Sequence, residues 1–139
     1  MCITVTADKA DVYVGCGSAK ILKIDKEGQC EMFARITSQT SVIVGLVVHK
    51  QLLDVLPWDR ELVIAYSLDS RQQVNSWHHP GVSHNFGSRM VVSQNQLVAA
   101  DVTHRRLTLY SLTGQLIRHV HCTQISDSRV CICVITQKS

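Results

Sequence analysis

Three histidines lie close together near the middle of the chain, at His78, His79 and His84, and imidazole is a common metal ligand. A metal site needs several donors that converge, and no carboxylate or thiolate lies beside this segment. Pro80 follows the adjacent pair and indicates an irregular connection. We therefore expect these histidines to be solvated loop residues, and we expect no metal site.

The six cysteines are a second candidate for chemistry. Cys131-Ile132-Cys133 places two thiols on one face of a predicted strand, but no second pair of this spacing completes a zinc site. The chain is long for a disulfide-stapled domain, and its first residues lack the apolar run and cleavage site of a secretory leader. We expect small, buried, free thiols in a reducing compartment, and a cytoplasmic location.

Catalytic groups occur in the sequence without a catalytic arrangement. Serine, histidine and aspartate are present, but none lies in a recognisable nucleophile motif. The carboxylates Asp8 and Asp11, or Asp54 and Asp59, do not form a recognisable acid–base pair. The sequence predicts a protein that is not an enzyme and holds no cofactor.

The composition is that of a globular domain. Of 139 residues, 45% are hydrophobic and 18% charged, and the formal net charge is +3. These values exclude a disordered tail, and no apolar run reaches the roughly 18–20 residues needed to span a membrane. The mild positive charge permits anionic partners without requiring them.

The elements that would position these groups repeat with a period of 44 residues. Leu22-Lys23-Ile24-Asp25 lies in register with Tyr66-Ser67-Leu68-Asp69 and with Tyr110-Ser111-Leu112-Thr113. A second element, Val47-Val48-His49, recurs at the same step as Val91-Val92-Ser93. Short strands repeating every 40–45 residues or so are typical of β-propeller blades.

Each repeat reads as a four-stranded antiparallel meander. In the clearest copy the strands are Arg89–Val92, Leu97–Ala100, Arg106–Ser111 and Gln115–Val120, with turn residues between them. The predicted fold class is all-β, with three propeller blades plus the first strand of a fourth. The predicted blades span residues 3–35, 43–78 and 89–122, and the extra strand spans 129–136, so that residues 1–139 form a partial β-propeller.

Three blades are too few to close a ring, because known propellers have four to eight. The chain is then either a fragment of a longer propeller or one half of a ring made by two chains. The extra strand at 129–136 disfavours simple closure by two chains, unless it displaces the N-terminal strand and clasps the partner. In either case we expect the isolated chain to self-associate, because its terminal blades leave apolar faces uncovered.

Polar turns on one face of this array form the predicted binding site. The turns between the second and third strands, and the connections between blades, should lie on the same face. The predicted partner-binding residues there are Lys20, Trp58, Arg60, His104 and Arg105. Tryptophan and arginine are favoured anchors for a protein partner, and a basic surface with an aromatic residue also suits single-stranded RNA. Turns are polar in any case, so the pattern leaves a solvated surface, a protein site and an RNA site all open.

The third repeat resembles an NHL repeat. That unit has an apolar run ending in aspartate, then an Asn-His-Arg-like turn into an apolar strand, then a glycine turn; here Asp101, His104-Arg105 and Gly114 match it. Thr103 stands where asparagine is usual, and the first two repeats lack the aspartate. The WD-repeat family fits less well, because Leu112-Thr113 occupies the place of its Trp-Asp pair.

The resemblance implies a six-bladed NHL-like propeller, as found at the C-terminus of tripartite-motif ubiquitin ligases. Such propellers bind protein partners or single-stranded RNA. The resemblance therefore implies a non-catalytic binding module, in which any ligase activity belongs to domains outside this chain. An unidentified protein is the expected partner, with single-stranded RNA as the alternative.

Overall fold

A computed structural model describes residues 2–8, 11–36, 43–57, 61–79, 90–101 and 104–122. Across these residues the secondary structure is all β. The strands are β1 Cys2–Ala7, β2 Val12–Cys16, β3 Lys20–Ile24, β4 Cys30–Arg35, β5 Ile43–His49, β6 Leu52–Pro57, β7 Leu62–Ser67, β8 Gln73–His78, β9 Met90–Ser93, β10 Gln96–Asp101, β11 Arg106–Ser111 and β12 Leu116–His121.

These strands form three four-stranded sheets, each an antiparallel meander in chain order. We call β1–β4 blade one, β5–β8 blade two and β9–β12 blade three. The predicted all-β fold of four-stranded blades is confirmed. The strand predicted at 129–136 lies outside the described residues.

A β-bulge marks the same place in every blade. It interrupts the pairing of the third strand with the fourth between Ile21 and Leu22 in blade one, between Ala65 and Tyr66 in blade two, and between Leu109 and Tyr110 in blade three. These positions keep the 44-residue step of the sequence. Leu22, Tyr66 and Tyr110 are therefore structurally equivalent, and the bulge gives each outer strand one additional residue at the equivalent position: Phe33, Val74 and Ile117.

The chain divides into two compact units, residues 1–84 and 85–139. In the first unit, blades one and two share one apolar core. Blade one contributes Tyr13, Ile21 and Phe33, and the rings of Tyr13 and Phe33 meet edge to face with centroids 5.3 Å apart. We call this surface of blade one, and the surface at the equivalent register positions of the other blades, the C-side face.

Blade two packs against this core with the surface opposite to its own C-side face, which we call the N-side face. It carries Leu53, Val55, Ile64 and Tyr66, all buried in the shared core. Tyr66, one of the residues of the 44-residue register, therefore packs between blades one and two. Each large side chain removed from water here contributes about 1.5–3 kcal/mol to folding, so this junction stabilises the first unit.

The second unit consists of blade three among the described residues, and its two faces are buried unequally. Leu97, Thr108 and Tyr110, on its N-side face, are buried. Val91, Leu107 and Leu109 are apolar strand residues, for which burial would be expected, but all three are only half-buried. They lie on the opposite, C-side face, since the side chains of a strand alternate between its two faces.

Blade two buries an unexpected polar pair. His49, at the end of β5, places Nε2 2.6 Å from Oδ2 of Asp54 on β6, and both side chains are almost completely buried. The other ring nitrogen of His49, Nδ1, has no hydrogen-bond partner among the described residues. In the sequence, His49 appears as part of the 44-residue repeat and Asp54 as one of the scattered carboxylates, and nothing there indicates that the two form a pair.

Two smaller expectations are corrected. Proline is common in turns, but Pro57 is the buried last residue of β6, opposite Ile43, where the pairing is already irregular. Cys16, Cys30 and Cys122 are free thiols as expected, but Cys30 is exposed and the other two are half-buried. No helix long and apolar enough to cross a membrane occurs in the described part of the chain.

Candidate functional site

One edge of each sheet collects the turns that the sequence singled out. In blade one, the start of β3 at Lys20 pairs with the end of β4 at Arg35, and in blade three Arg106 pairs with His121 in the same way. The turn between the second and third strands therefore lies at the same edge as the end of the outer strand. We call this edge the rim of a blade.

The five predicted site residues distribute unevenly over the rims. Lys20 lies on the rim of blade one, and His104 and Arg105 lie together in the rim turn of blade three. Trp58 and Arg60 lie outside the described residues. Because Lys20 belongs to the first compact unit and His104 and Arg105 to the second, each rim is described by itself.

The rim of blade one is cationic. Lys20 and Arg35 are directly opposite each other at the ends of paired strands. Arg35 is exposed and Lys20 half-buried, and neither forms an ion pair with any carboxylate in the described ranges. Two unneutralised cations side by side repel each other, and an anionic group from outside would relieve that repulsion.

A buried carboxylate organises the rim turn of blade three. Asp101, the last residue of β10, accepts a hydrogen bond from the backbone N–H of His104 through Oδ1 at 3.3 Å. Its other oxygen, Oδ2, lies 2.9 Å from Nδ1 of His104 and accepts from Nε of Arg106 at 3.0 Å. A carboxylate that accepts several hydrogen bonds fixes the conformation of the loop around it.

A backbone hydrogen bond to the end of the outer strand also holds this turn. The carbonyl of Arg105 accepts a hydrogen bond from the backbone N–H of Cys122, just after β12, at 2.9 Å. Arg105 has φ +52°, in the left-handed region that side chains other than glycine rarely adopt. Its backbone is therefore held in an uncommon conformation from both sides, and its exposed guanidinium extends from a fixed point.

His104 has a different role from the one the sequence indicated. Its side chain is 55% exposed, but its ring is engaged with Asp101. His104 therefore stabilises the turn, and Arg105 is the exposed cation of this turn that is available to a ligand. In the sequence, Asp101 stands out only as part of a repeat motif. Arg106 looks like an ordinary first residue of a strand, and the pattern indicates no role for it.

Further basic groups continue from the rim along the outer strand of blade three. His119 on β12 lies opposite Thr108, with Nδ1 3.1 Å from the Thr108 hydroxyl oxygen. Partial desolvation and the nearby Arg106 guanidinium lower the pKa of His119 below its ordinary value. His121 and Arg118 are exposed on the same strand, so this outer surface carries several ionisable groups.

The rim of blade two differs from the other two. His78 is exposed at the end of β8, with Nε2 4.0 Å from Oε2 of Glu61. The expectation of a solvated loop is wrong for His79, which is buried and donates its backbone N–H to the Glu61 carbonyl at 2.9 Å. His84 lies outside the described residues. Within the described ranges, no three histidine, cysteine or acidic side chains are grouped to hold a metal ion.

Known proteins share the fold of this chain. No protein-family model and no curated protein matches it by sequence. Among solved structures it is similar to a streptogramin B lyase, at 14% identity and TM-score 0.69, over 90% of this chain and 42% of the lyase.

Two further structures extend the comparison. A chain of a nidogen/laminin complex is 12% identical with TM-score 0.70, over 87% of this chain and 47% of that one. Saccharomyces cerevisiae Sqt1 is 10% identical with TM-score 0.68, over 86% of this chain and 34% of Sqt1. These are β-propeller proteins, so the chain has the fold of part of a β-propeller. It spans less than half the length of each of these structures.

Proposed function

We propose that this chain is a non-catalytic binding module that presents its rims to an acidic segment of a protein partner. The observation that carries the proposal is the geometry of Arg105. Its side chain is exposed, while its backbone is held by the Asp101 network on one side and by the Cys122 N–H on the other. An arginine displayed from a fixed backbone loses little conformational freedom when it binds, which is a common property of interface anchors.

The charge of the rims indicates the kind of partner. Lys20, Arg35 and Arg105 are cations without a described carboxylate partner, and they recur on rims of both compact units. A carboxylate side chain offers two oxygens that match the forked donors of arginine. An acidic peptide segment is therefore the ligand that these groups would recognise. One similar solved structure is a complex between two proteins, nidogen and laminin, which is in keeping with this class of function.

The proposal extends to the resemblance seen in the sequence. We infer that the module is the substrate-recognition part of a tripartite-motif NHL-type ubiquitin ligase, with any ligase chemistry in domains outside this chain. The match at Asp101, His104 and Arg105 supports it, because Asp101 and His104 are hydrogen-bonded to each other in the turn and Arg105 lies within that turn. A cytoplasmic setting belongs to the same proposal, in keeping with the free thiols of Cys16, Cys30 and Cys122.

Fluorescence polarisation with a labelled oligoglutamate peptide tests the proposal. We expect saturable binding at moderate salt, and we expect Arg105→Asn to weaken it by about tenfold, as for an interface anchor. Asparagine is chosen because it tolerates a left-handed backbone and so removes the charge without straining the turn. The matched control is Arg118→Asn on the exposed outer strand, which should bind as the wild type does.

A third variant tests whether peptide binding depends on the fixed conformation of the turn or only on the net positive charge. Asp101→Asn removes a negative charge and loosens the turn while leaving every cation in place. If fixed geometry matters, this variant binds the peptide more weakly than the wild type. If only net charge matters, it binds more tightly, which would contradict the role given to Arg105.

A pool of short single-stranded RNAs provides the competing outcome. Binding of RNA through phosphate contacts weakens steeply and log-linearly as salt rises. Saturable RNA binding that is tighter than peptide binding, and is lost in Arg105→Asn, would replace the protein-binding proposal by the RNA alternative. Absence of saturable binding to RNA near micromolar concentration at moderate salt would remove that alternative.

A further inference from the structure

Three histidines of blade three lie around one ion pair at its rim. Arg106, the first residue of β11, donates through Nε to Oδ2 of Asp101, and His121 on β12 lies directly opposite Arg106. His119 lies two positions from His121 on the same strand, so both side chains project from the N-side face. His104 lies in the rim turn, with Nδ1 2.9 Å from the same oxygen of Asp101. One small region therefore holds three imidazoles and a guanidinium.

Two of these imidazoles are oriented through the same ring nitrogen. Nδ1 of His104 bonds to the Asp101 carboxylate, and Nδ1 of His119 lies 3.1 Å from the hydroxyl oxygen of the buried Thr108. Nε2 is on the far side of the ring in both histidines, and no group in the described part of the chain bonds to it. Each ring is therefore held at one nitrogen, and the other nitrogen is left for a ligand.

The charge of this cluster is set by the protonation of its histidines. Arg106 and Asp101 neutralise each other at 3.0 Å. Protonation of His104, His119 and His121 therefore adds positive charge to a group that is otherwise neutral. Desolvation and the charges of Arg106, His121 and His104 lower the pKa of His119, whereas Asp101 acts to raise it. An anion bound from outside would favour protonation of all three imidazoles.

The equivalent positions in the other two blades are built differently. The first residue of the third strand pairs with the last of the fourth as Lys20 with Arg35 in blade one, and as Leu62 with His78 in blade two. The pair in blade one contains no imidazole. In blade two a carboxylate already faces the imidazole, because Oε2 of Glu61 lies 4.0 Å from Nε2 of His78. The arrangement of histidines around a neutralised ion pair therefore distinguishes the rim of blade three from these two.

We propose that this cluster binds a phosphorylated serine or threonine side chain of the partner, and that the phosphate and the protons of the three histidines bind together. A phosphomonoester carries about 1.5 to 2 negative charges and three acceptor oxygens, so it accepts from several donors that meet at one place. The guanidinium of Arg106 is held through Nε and keeps its two terminal nitrogens for such an anion. The proposal rests on the proposed function, since it places a phosphate within the acidic segment that the rim would bind.

A phosphomonoester fits this cluster better than the phosphodiesters of RNA. Proteins that bind single-stranded RNA use cations that follow the backbone and exposed aromatic rings that stack on the bases. In blade three the histidines and Arg106 are gathered around one carboxylate at the rim. The phenol ring of Tyr110, on the same N-side face, is buried and offers no surface for stacking. The cluster therefore suits one compact anion.

Fluorescence polarisation with a labelled glycine–serine peptide that carries one phosphoserine tests the proposal. The peptide contains no glutamate, so its binding does not depend on recognition of carboxylates by Arg105. We expect saturable binding at about pH 6.5, and binding at least about tenfold weaker when serine replaces phosphoserine. Binding of oligoglutamate without binding of the phosphoserine peptide would overturn this proposal and leave the proposed function standing. The reverse result would support the phosphate site and contradict the acidic segment.

Variants on β12 locate the site. His119→Gln and His121→Gln each remove an imidazole from the N-side face, and each should weaken binding of the phosphoserine peptide by about tenfold. The matched control is Arg118→Gln. Arg118 lies between the two histidines on β12, and its pairing with Leu109 places it on the opposite face. The control loses a full positive charge, yet it should bind as the wild type does. A greater loss in Arg118→Gln would mean that only net charge matters, and the site would be wrong.

NMR titration of the imidazole protons tests the coupling to protons, and it follows the protein's own groups whatever the protonation of the phosphate. The pKa of His119 should rise when the phosphoserine peptide saturates the protein, because a nearby anion favours the charged imidazole. By linkage, the peptide then binds more tightly as pH falls toward the pKa of the free protein. An unchanged pKa of His119 in the complex would contradict the proposal. Tighter binding of short single-stranded RNA, lost in His119→Gln, would replace the phosphomonoester by a phosphodiester ligand.

Discussion

The guanidinium of Arg71 lies over the ring of Phe33, with Cζ 5.6 Å from the ring centroid. Arg71 belongs to a turn of blade two and Phe33 to the outer strand of blade one. The same side chain donates through Nη2 to Oε1 of Glu31 at 2.8 Å and through Nη1 to the carbonyl of Met32 at 3.4 Å. One residue therefore fastens the outer strand of blade one to the blade that follows it.

Arg71→Ala should destabilise the first unit modestly. The cation–π contact contributes about 0.5–1 kcal/mol, and the exposed ion pair with Glu31 adds little. Position 71 has φ +61°, and alanine and arginine should be strained equally by this conformation. The substitution should therefore remove only the contacts of the side chain. Urea unfolding measures the difference, with Arg118→Ala as the control. Equal stability of the two variants would show that the contact contributes nothing.

The ionisation of Glu31 reports on the same contact. Its hydrogen bond and charge interaction with Arg71 hold the pKa of the Glu31 carboxyl below its ordinary value. In Arg71→Ala that pKa should rise toward the ordinary value, which carboxyl-carbon NMR titration measures directly. An unchanged pKa in the variant would contradict the ion pair.

Alkaline pH should destabilise the protein through two buried tyrosines. Burial, with the charges of Asp8 and Asp11, raises the pKa of Tyr13 to about 12, and burial chiefly does the same for Tyr110. Between about pH 10 and pH 12 the unfolded chain loses these protons first, so the free energy of unfolding falls as pH rises. Tyr13→Phe removes one of the two groups and should flatten that fall, as measured by thermal melts from pH 8 to pH 11. A fall as steep as that of the wild type would exclude Tyr13 as a cause.

Blade three should respond unequally to truncation on its two faces. Leu97 is fully buried on the N-side face, so Leu97→Ala should cost about 2–5 kcal/mol through the cavity that it leaves. Leu109 is half-buried on the other face, so Leu109→Ala should cost clearly less. Urea unfolding at low protein concentration, where association does not contribute, measures both. A larger loss for Leu109→Ala would contradict the assignment of faces.

His119 should titrate below the ordinary histidine range, because desolvation and Arg106 lower its pKa. Its stabilising contribution is therefore present above the pKa of the unfolded chain and is lost as pH falls. Arg106→Gln should raise the pKa of His119, whereas Asp101→Asn should lower it further, since Asp101 acts in the opposite direction. NMR titration of the imidazole protons distinguishes the two variants, and shifts of the same sign in both would contradict the arrangement.

The sequence predicted the repeating part of the fold well. Alternation and turn residues placed the third strand of blade three at Arg106–Ser111, the bounds that the structure gives. Two phase-locked elements gave the 44-residue step that the bulges keep. Such features depend on local backbone preference and on period, both of which a single sequence carries.

Contacts between residues on different strands or turns could not be predicted from local backbone preference and period. Asp101 reads as the end of an apolar run, and only its approach to Arg106 across the sheet gives it a role. Leu109 lies in a good strand pattern, but the pattern does not tell which face a neighbour covers. His79 looks like a loop residue, although its backbone bond to Glu61 fixes it in a buried place.

The buried pair of His49 and Asp54 gives blade two an identity that blade three does not share. In blade three, the position equivalent to Asp54 is Val98, opposite Val91, and the position equivalent to His49 is Ser93. Proteins built from similar repeats are prone to exchange strands between copies while they fold. A strand of blade two inserted into blade three would bury a carboxylate or an imidazole without its partner, at a cost of several kcal/mol. We expect this pair to direct each strand to its own sheet, which makes correct assembly, more than stability, its contribution to the molecule.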